Sequence, residues 1–388
     1  MFNRLDLVII NRSFWPIYPV IGEALMRFSE EQAVDKRVGV ILQDHANIKK
    51  KLFTEKRGEG VDFYPCYAFS ISGSSVFRRG VDAVFFMLWV FAVLTIKRPK
   101  KVYVSTDPPV VVPFIVMIYS IIFRAEYIYH LQDIHPEATN VVIPIRPWLF
   151  RLLKWLDSIT MRHADIIITI TQEMEDEILN RSHTRAPIET IFNPSVSFDE
   201  VSVPENKIEG FVFCGNAGRL QRIPLLIEAI DQYYIKGGSL PFVFAGAGVY
   251  EQDIKELSER HEYVDYRGFI SASDAAQLNA SYSWAILPIE DEVTRYAFPS
   301  KSSSYVFSGA KILAICGEST SVASWVVDNK LGVVVAPDVN AICECFVSIE
   351  KRASEGDGFD DERQALKEQL SFDAFVNHLT NLVAGARK

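Results

Sequence analysis

Lys301 stands in the stretch FPSKSSSYVFSGAKILAIC, preceded by Pro299 and Ser300 and followed by Ser302, Ser303 and Ser304. A helix starting here would gather a lysine and several hydroxyls around its exposed first-turn amides. That combination suits a diphosphate. Ser300 can cap such a helix and Gly309 can end it. A capped helix with a serine-rich outer face is the plainer reading of the same residues.

A second candidate is GFVFCGNAGRLQRIPLLIEAIDQYY, which reads as strand, turn and helix. Gly215 and Gly218 permit a tight turn and close approach of a ligand to the backbone. The helix begins near Ile223–Pro224, with its amides and dipole facing the turn. Asn216, Arg219 and Arg222 could bond a phosphate there. Gly246 and Gly248 repeat the arrangement after the next strand, in VFAGAGVYE. Glycine turns of both kinds also occur for packing alone.

The third candidate is QDIHPE, which groups Asp133, His135 and Glu137 just past a strand end. Asp133 or Glu137 could serve as a base or hold sugar hydroxyls, or could simply cap the following turn. SFWPIYPVIG and TDPP follow other strands and would line the same rim. No Asp-x-Asp, GxSxG, GxxxxGK[ST] or HExxH motif is present, so neutralising charge for a diphosphate would come from helix ends and basic side chains.

The elements that must position these residues are legible as an alternation. Leu5–Ile10, Arg37–Leu42, Lys101–Ser105, Tyr127–Leu131 and Ile166–Thr171 read as strands separated by helical stretches. The rhythm stops at a proline-containing linker, about residues 193–208. It resumes with strands at Gly210–Cys214, Phe242–Ala245, Val264–Tyr266, Ala285–Leu287, Ile312–Ile315 and Gly332–Val335. Strands alternating with helices predict parallel, doubly wound sheets, with ligands at the carboxyl ends of the strands. The expected domains are 1–195 and 196–388, with the final helical stretch FDAFVNHLTNLV able to pack back on the first.

Composition narrows the class. The chain has 388 residues, 49% hydrophobic and 23% charged, with a net charge of −9. The acidic excess lies in the second half, which argues against a general nucleic-acid surface. Five scattered cysteines fit a reducing compartment and no disulfide framework. Two apolar runs, 81–96 and 108–123, are short for a membrane span. Arg78 and Arg79 precede the first, and Lys97, Arg98, Lys100 and Lys101 follow it. They read as apolar helices of a globular domain, at least one lying at a membrane surface; buried core helices and a true span remain open.

Together, SFWP, STDPP, QDIHPE, ADIIITITQEM, FNP, GNAGRLQR, FAGAG and the PSK helix followed by SGAKILAI resemble, in order and spacing, the family 4 retaining glycosyltransferases. The similarity runs over nearly the whole chain and is strongest to the branch that builds O-antigen, capsule and exopolysaccharide. It implies an α/β GT-B fold, two doubly wound Rossmann-like domains facing each other across a cleft. It implies acceptor binding by the first domain and nucleotide-sugar binding by the second. It further implies transfer from a nucleoside-diphosphate sugar, UDP favoured over GDP, to a lipid-linked (undecaprenyl diphosphate) saccharide with retention. No metal or other cofactor is expected, and the implied location is the inner face of the cytoplasmic membrane. In that mechanism the leaving diphosphate helps deprotonate the acceptor, and no protein nucleophile is required.

Where many relatives have Arg and Lys in the first C-domain turn, Asn216 and Gln221 stand here, so Arg219, Arg222 and Lys301 become the expected phosphate ligands. A ribose-binding Glu of the PSK helix is Ser304, and its paired Glu falls at Tyr296. A cleft-edge His corresponds to Gln132. Gly215, Gly246, Pro299 and Ser300 complete the expected nucleotide site. The alternatives are a nucleotide-sugar 2-epimerase of the same architecture and a non-catalytic sugar-nucleotide-binding subunit.

Overall fold

The structure, a computed structural model, describes residues 4–69, 76–353 and 363–385, excepting the side chains of residues 76, 77, 79 and 353. The expected role of the Arg79 side chain therefore lies outside the described residues. The chain divides into two compact units, Met1–Pro194 with Phe372–Lys388, and Ser195–Ser371.

Unit 1 runs β1 (Leu7–Ile10), α1 (Ile21–Ala33), β2 (Val38–Asp44), α2 (Ile48–Glu55), β3 (Val61–Tyr67), α3 (Val76–Lys97) and β4 (Lys101–Ser105). It continues through α4 (Val111–Phe123), β5 (Glu126–His130), α5 (Glu137–Val142), α6 (Pro147–Arg162), β6 (Ile166–Thr169), α7 (Gln172–Ser182) and β7 (Ile188–Thr190). Among the described residues its strands form one parallel sheet in the order β3-β2-β1-β4-β5-β6-β7. Central strands such as β1 are buried along their whole length, which is why they read as continuous apolar runs. At one edge, β3 tolerates Pro65 because an edge strand need not donate every ladder bond.

Unit 2 runs β8 (Ile208–Cys214), α8 (Ile223–Ile235), β9 (Phe242–Ala245), α9 (Glu251–Arg260), β10 (Val264–Tyr266), α10 (Ala272–Ser281) and β11 (Tyr282–Pro288). A 3-10 turn, Asp291–Arg295, leads into α11 (Lys301–Ser308). Then come β12 (Lys311–Ile315), α12 (Ser321–Asp328), β13 (Gly332–Val335), α13 (Val339–Ala353) and α14 (Gln364–Gln369). The second parallel sheet has the order β10-β9-β8-β11-β12-β13. Its core joins Phe211, Phe213 and Phe242 of the sheet to Ile230 and Tyr233 of α8 and Phe346 of α13.

The last helix, α15 (Phe372–Gly385), belongs to unit 1. It packs on α1, burying Phe375, Val376 and Leu379 in the same cluster as Leu25 and Phe28. Its apolar residues recur at helical spacing and require such a partner.

Both apolar runs are helices of unit 1. The 13-residue α4 turns Val112, Val116 and Tyr119 inward. By length and composition alone α3 could cross a membrane. It nevertheless buries Phe86, Val90 and Leu94 completely. Its Asp82 accepts hydrogen bonds from Gln43 Nε2 (2.7 Å) and the Phe69 amide (3.1 Å).

Candidate functional site

In an open parallel sheet, ligands gather outside the carboxyl ends of the strands where strand order reverses. In unit 2 that point lies between β8 and β11. The turn after β8 opens with Gly215 at φ 144°, a conformation in which glycine is at ease. A Cβ on Gly215 would lie 3.1 Å from Lys301 Nζ. The bare turn therefore leaves room for the first side chain of α11.

Lys301 is the key group of this site. Its Nζ is buried and has no hydrogen-bond partner among the described residues. The ammonium lies 4.0 Å from the centre of the Phe213 ring, on β8. Burial pulls its pKa down from 10.5 to about 8. Burying an ammonium with three unused donors is costly, and a cation–π contact recovers only part of that cost. Such an arrangement is complementary to an anion.

The other expected residues separate into groups. Asn216 and Arg219 are exposed on the same turn. Pro299 and Ser300 lead into α11. Ser300 occupies the cap position, but its side chain makes no capping bond; Ser302 instead donates to the Pro299 carbonyl (2.7 Å). Ser304 is buried three residues beyond Lys301, on the same helix face. Gly309 ends the helix in the left-handed conformation, φ 70°.

Two expectations change. Arg222 is turned away from the glycine turn. Its Nε donates to the Ile289 carbonyl (2.7 Å), and its Nη2 pairs with Asp291 (2.9 Å) and Glu290 (3.1 Å). The Asp291 carboxylate also accepts the Gly317 amide (2.8 Å), so Arg222 ties together loops around β11 and β12. Gly246 serves packing: a Cβ there would come within 2.0 Å of the Gly215 carbonyl oxygen. Gln221 likewise folds back on its own turn, accepting from the Gly218 amide (3.1 Å).

In unit 1 strand order reverses between β1 and β4. Arg12 and Ser13, after β1, hold Asp107, after β4: Arg12 Nη2 lies 2.8 Å from one carboxylate oxygen, and the Ser13 amide donates to the other at 2.9 Å. Asp133 follows the neighbouring β5. Its carboxyl is pushed up to about 6, first by burial and then by the charge of Asp107. It is thus the rim carboxylate whose protonation changes near neutral pH.

Behind it lies a hydrogen-bonded chain. His130 is fully buried and bonded to Tyr103, and its Nε2 is 2.7 Å from the Gln132 amide nitrogen. Asn193, of FNP, donates to Gln132 Oε1 at 2.6 Å. Burial pulls the His130 pKa down to about 3, so it stays neutral. The Gln132 amide is therefore fixed from both ends.

Glu137 differs from expectation. Only 5% exposed, it pairs with Arg181 (2.7 Å) and Lys154 (3.0 Å), and Arg181 also pairs with the buried Asp157. Tyr129 donates to Asp157 (2.6 Å). This network binds α5, α6 and α7 to the sheet, a structural task. Arg12, Asp107 and Phe213 were not singled out as ligand-site residues. The signal for Phe213 was its place two residues before Gly215 on an alternating strand.

No family model matches the chain. A probable glycosyltransferase, WbjE, from Pseudomonas aeruginosa is 24% identical over 311 residues, covering 73% of this chain and 76% of WbjE. The sucrose-phosphate synthase of Thermosynechococcus elongatus superposes with a TM-score of 0.71 at 13% identity, covering 98% of each chain. HepE from Anabaena, solved in complex with UDP, superposes at 0.64 and 15% identity, covering 98% of this chain and 99% of its own. The two parallel-sheet, Rossmann-like domains of this chain thus have the GT-B fold of glycosyltransferases.

Proposed function

We propose that the chain is a metal-independent, retaining glycosyltransferase of bacterial surface-polysaccharide synthesis. It moves a sugar from a nucleoside-diphosphate donor, UDP rather than GDP, to an undecaprenyl-diphosphate-linked saccharide at the inner face of the cytoplasmic membrane. The observation that carries this reading is the buried, unpartnered ammonium of Lys301 beside the Gly215 turn. The GT-B fold and the name of the Pseudomonas relative support it.

In this reading unit 2 holds the donor. Lys301 and the amino end of α11 take the diphosphate, with Gly215, Asn216, Arg219, Pro299, Ser300 and Ser304 around it. Charge builds on the leaving diphosphate as the glycosidic bond breaks, and a fixed ammonium in a dry site stabilises that charge strongly. The diphosphate oxygen then helps take the acceptor proton. Asp133 in unit 1 orients the acceptor or the transferred sugar. A nucleotide-sugar 2-epimerase can share this fold. The apolar outer surface of α3 and α6 in unit 1 favours a lipid-linked acceptor over that soluble reaction.

The test incubates the purified chain, in chelator, with UDP- and GDP-sugars and a lipid-linked oligosaccharide. Elongated lipid with retained anomeric configuration supports the reading. An epimerised sugar nucleotide without elongation supports the alternative, and neither product from folded protein overturns both.

A further inference from the structure

On one face of the unit 1 sheet α3, α4 and α6 lie side by side, with α7 beyond α6. The connections β3 to β4, β4 to β5 and β5 to β6 all advance in one direction across the sheet. Right-handed crossovers place their helices on one face. There α4 packs against both α3 and α6.

The outer surface of this layer is apolar where a solvated one would be charged. On α3, Val84, Phe85 and Leu88 are 48%, 40% and 58% exposed. On α6, Trp148, Leu152 and Trp155 recur at helical spacing and are 59%, 44% and 58% exposed. The carboxylates carried by α3, α4 and α6 are Asp82 and Asp157, and both are fully buried. Arg146 and Arg151 are exposed beside the tryptophans. Although the chain has a net charge of −9, the outer surface of these three helices is thus acid-free, basic and apolar, bordered beyond α6 by the acidic α7.

We propose that this surface docks on a bilayer carrying anionic headgroups. Trp148, Leu152 and Trp155 seat at headgroup depth, where amphipathic indoles are favoured, with the outer stripe of α3 beside them. Arg146 and Arg151 lie over the lipid phosphates. Charge selects a bilayer over a second copy of the chain, because self-pairing across α3, α4 and α6 would bring these arginines together with no exposed carboxylate of those helices between them. Docking is peripheral, since the inner stripe of α3 and the bonds of Asp82 hold that helix in the domain. The inference deepens the membrane-surface part of the proposed function and rests on it.

Flotation of the full chain with phosphatidylglycerol-containing vesicles and with pure phosphatidylcholine vesicles tests it. The wild type floats with the anionic vesicles, and bromine-labelled lipid quenches its tryptophan fluorescence. The pair Trp148→Ala and Trp155→Ala lowers partitioning at least about tenfold, from the lost apolar burial. The pair Arg146→Gln and Arg151→Gln weakens binding and removes its salt dependence. Circular dichroism melting checks that every variant is folded, and UDP binding is measured in parallel. Loss of UDP binding with flotation intact counts against the transferase alone. Three outcomes overturn the docking: folded wild type that stays off anionic vesicles, tryptophan variants that float like wild type, or a dimer in solution that those variants dissolve without any vesicle binding.

Discussion

The Lys301 ammonium lies 4.0 Å from the centre of the Phe213 ring, buried and without a hydrogen-bond partner among the described residues. The unfolded chain holds this proton to about its ordinary 10.5, whereas the folded chain releases it at about 8. Between those values the unfolded state binds more protons, so stability rises with pH across that window. Lys301→Met should remove this rise and be the more stable protein below about pH 8. Chemical denaturation of both proteins from neutral to alkaline pH measures it.

Two glycines of unit 2 should respond differently to alanine. At Gly215 the added methyl meets the far end of a flexible lysine at 3.1 Å and strains a backbone at φ 144°. A loss of about 1–3 kcal/mol with weakened nucleotide binding is expected. At Gly246 the methyl meets a backbone oxygen at 2.0 Å, which cannot move aside. Gly246→Ala should be the more damaging change, as read by thermal melting and soluble yield.

Asp133 gives a pH signature. Its carboxyl sits at about 6 rather than 3.8, so the folded state binds more protons between these values and stability falls as pH rises through that window. Asp133→Asn should abolish that slope. If Asp133 acts ionised, turnover declines as pH drops below about 6, and the variant loses both turnover and this acidic limb while nucleotide affinity holds. Rate profiles of the two proteins across that range decide it.

Glu137 and Arg181 form a structural pair. Truncating one partner of a buried ion pair costs about 3–5 kcal/mol because the other is left uncompensated. Arg181→Ala should therefore lower the melting temperature sharply. In whatever fraction stays folded, UDP affinity should match wild type.

The central strands of both sheets were readable because parallel strands buried on two faces appear as apolar runs, as in LVII and IIIT. The two edge strands of unit 1 were not: Asp62 and Pro65 interrupt VDFYPCY in β3, and β7 is only the half-buried IET. α6 also escaped, although PWLFRLLKWLDSITMR has a helical period, because its outer face carries tryptophan and leucine where a polar face is expected. At the site, Lys301, Gly215 and Asp133 could be nominated from local motifs. The partners of Arg222 and Glu137 could not, because Asp291 and Arg181 meet them only through the fold. A basic or acidic side chain beside a glycine turn or strand end has the right chemistry in either role. Only three-dimensional contacts assign one.

Calorimetric titration of UDP into the wild type and into Lys301→Met, in chelator, tests the central claim most directly. One buried charge-assisted contact is worth about 1.5–3 kcal/mol, so the variant should bind roughly ten- to a hundredfold more weakly while remaining folded. Equal affinity in the two proteins, or a folded wild type that binds neither UDP nor GDP, would contradict a diphosphate site at Lys301.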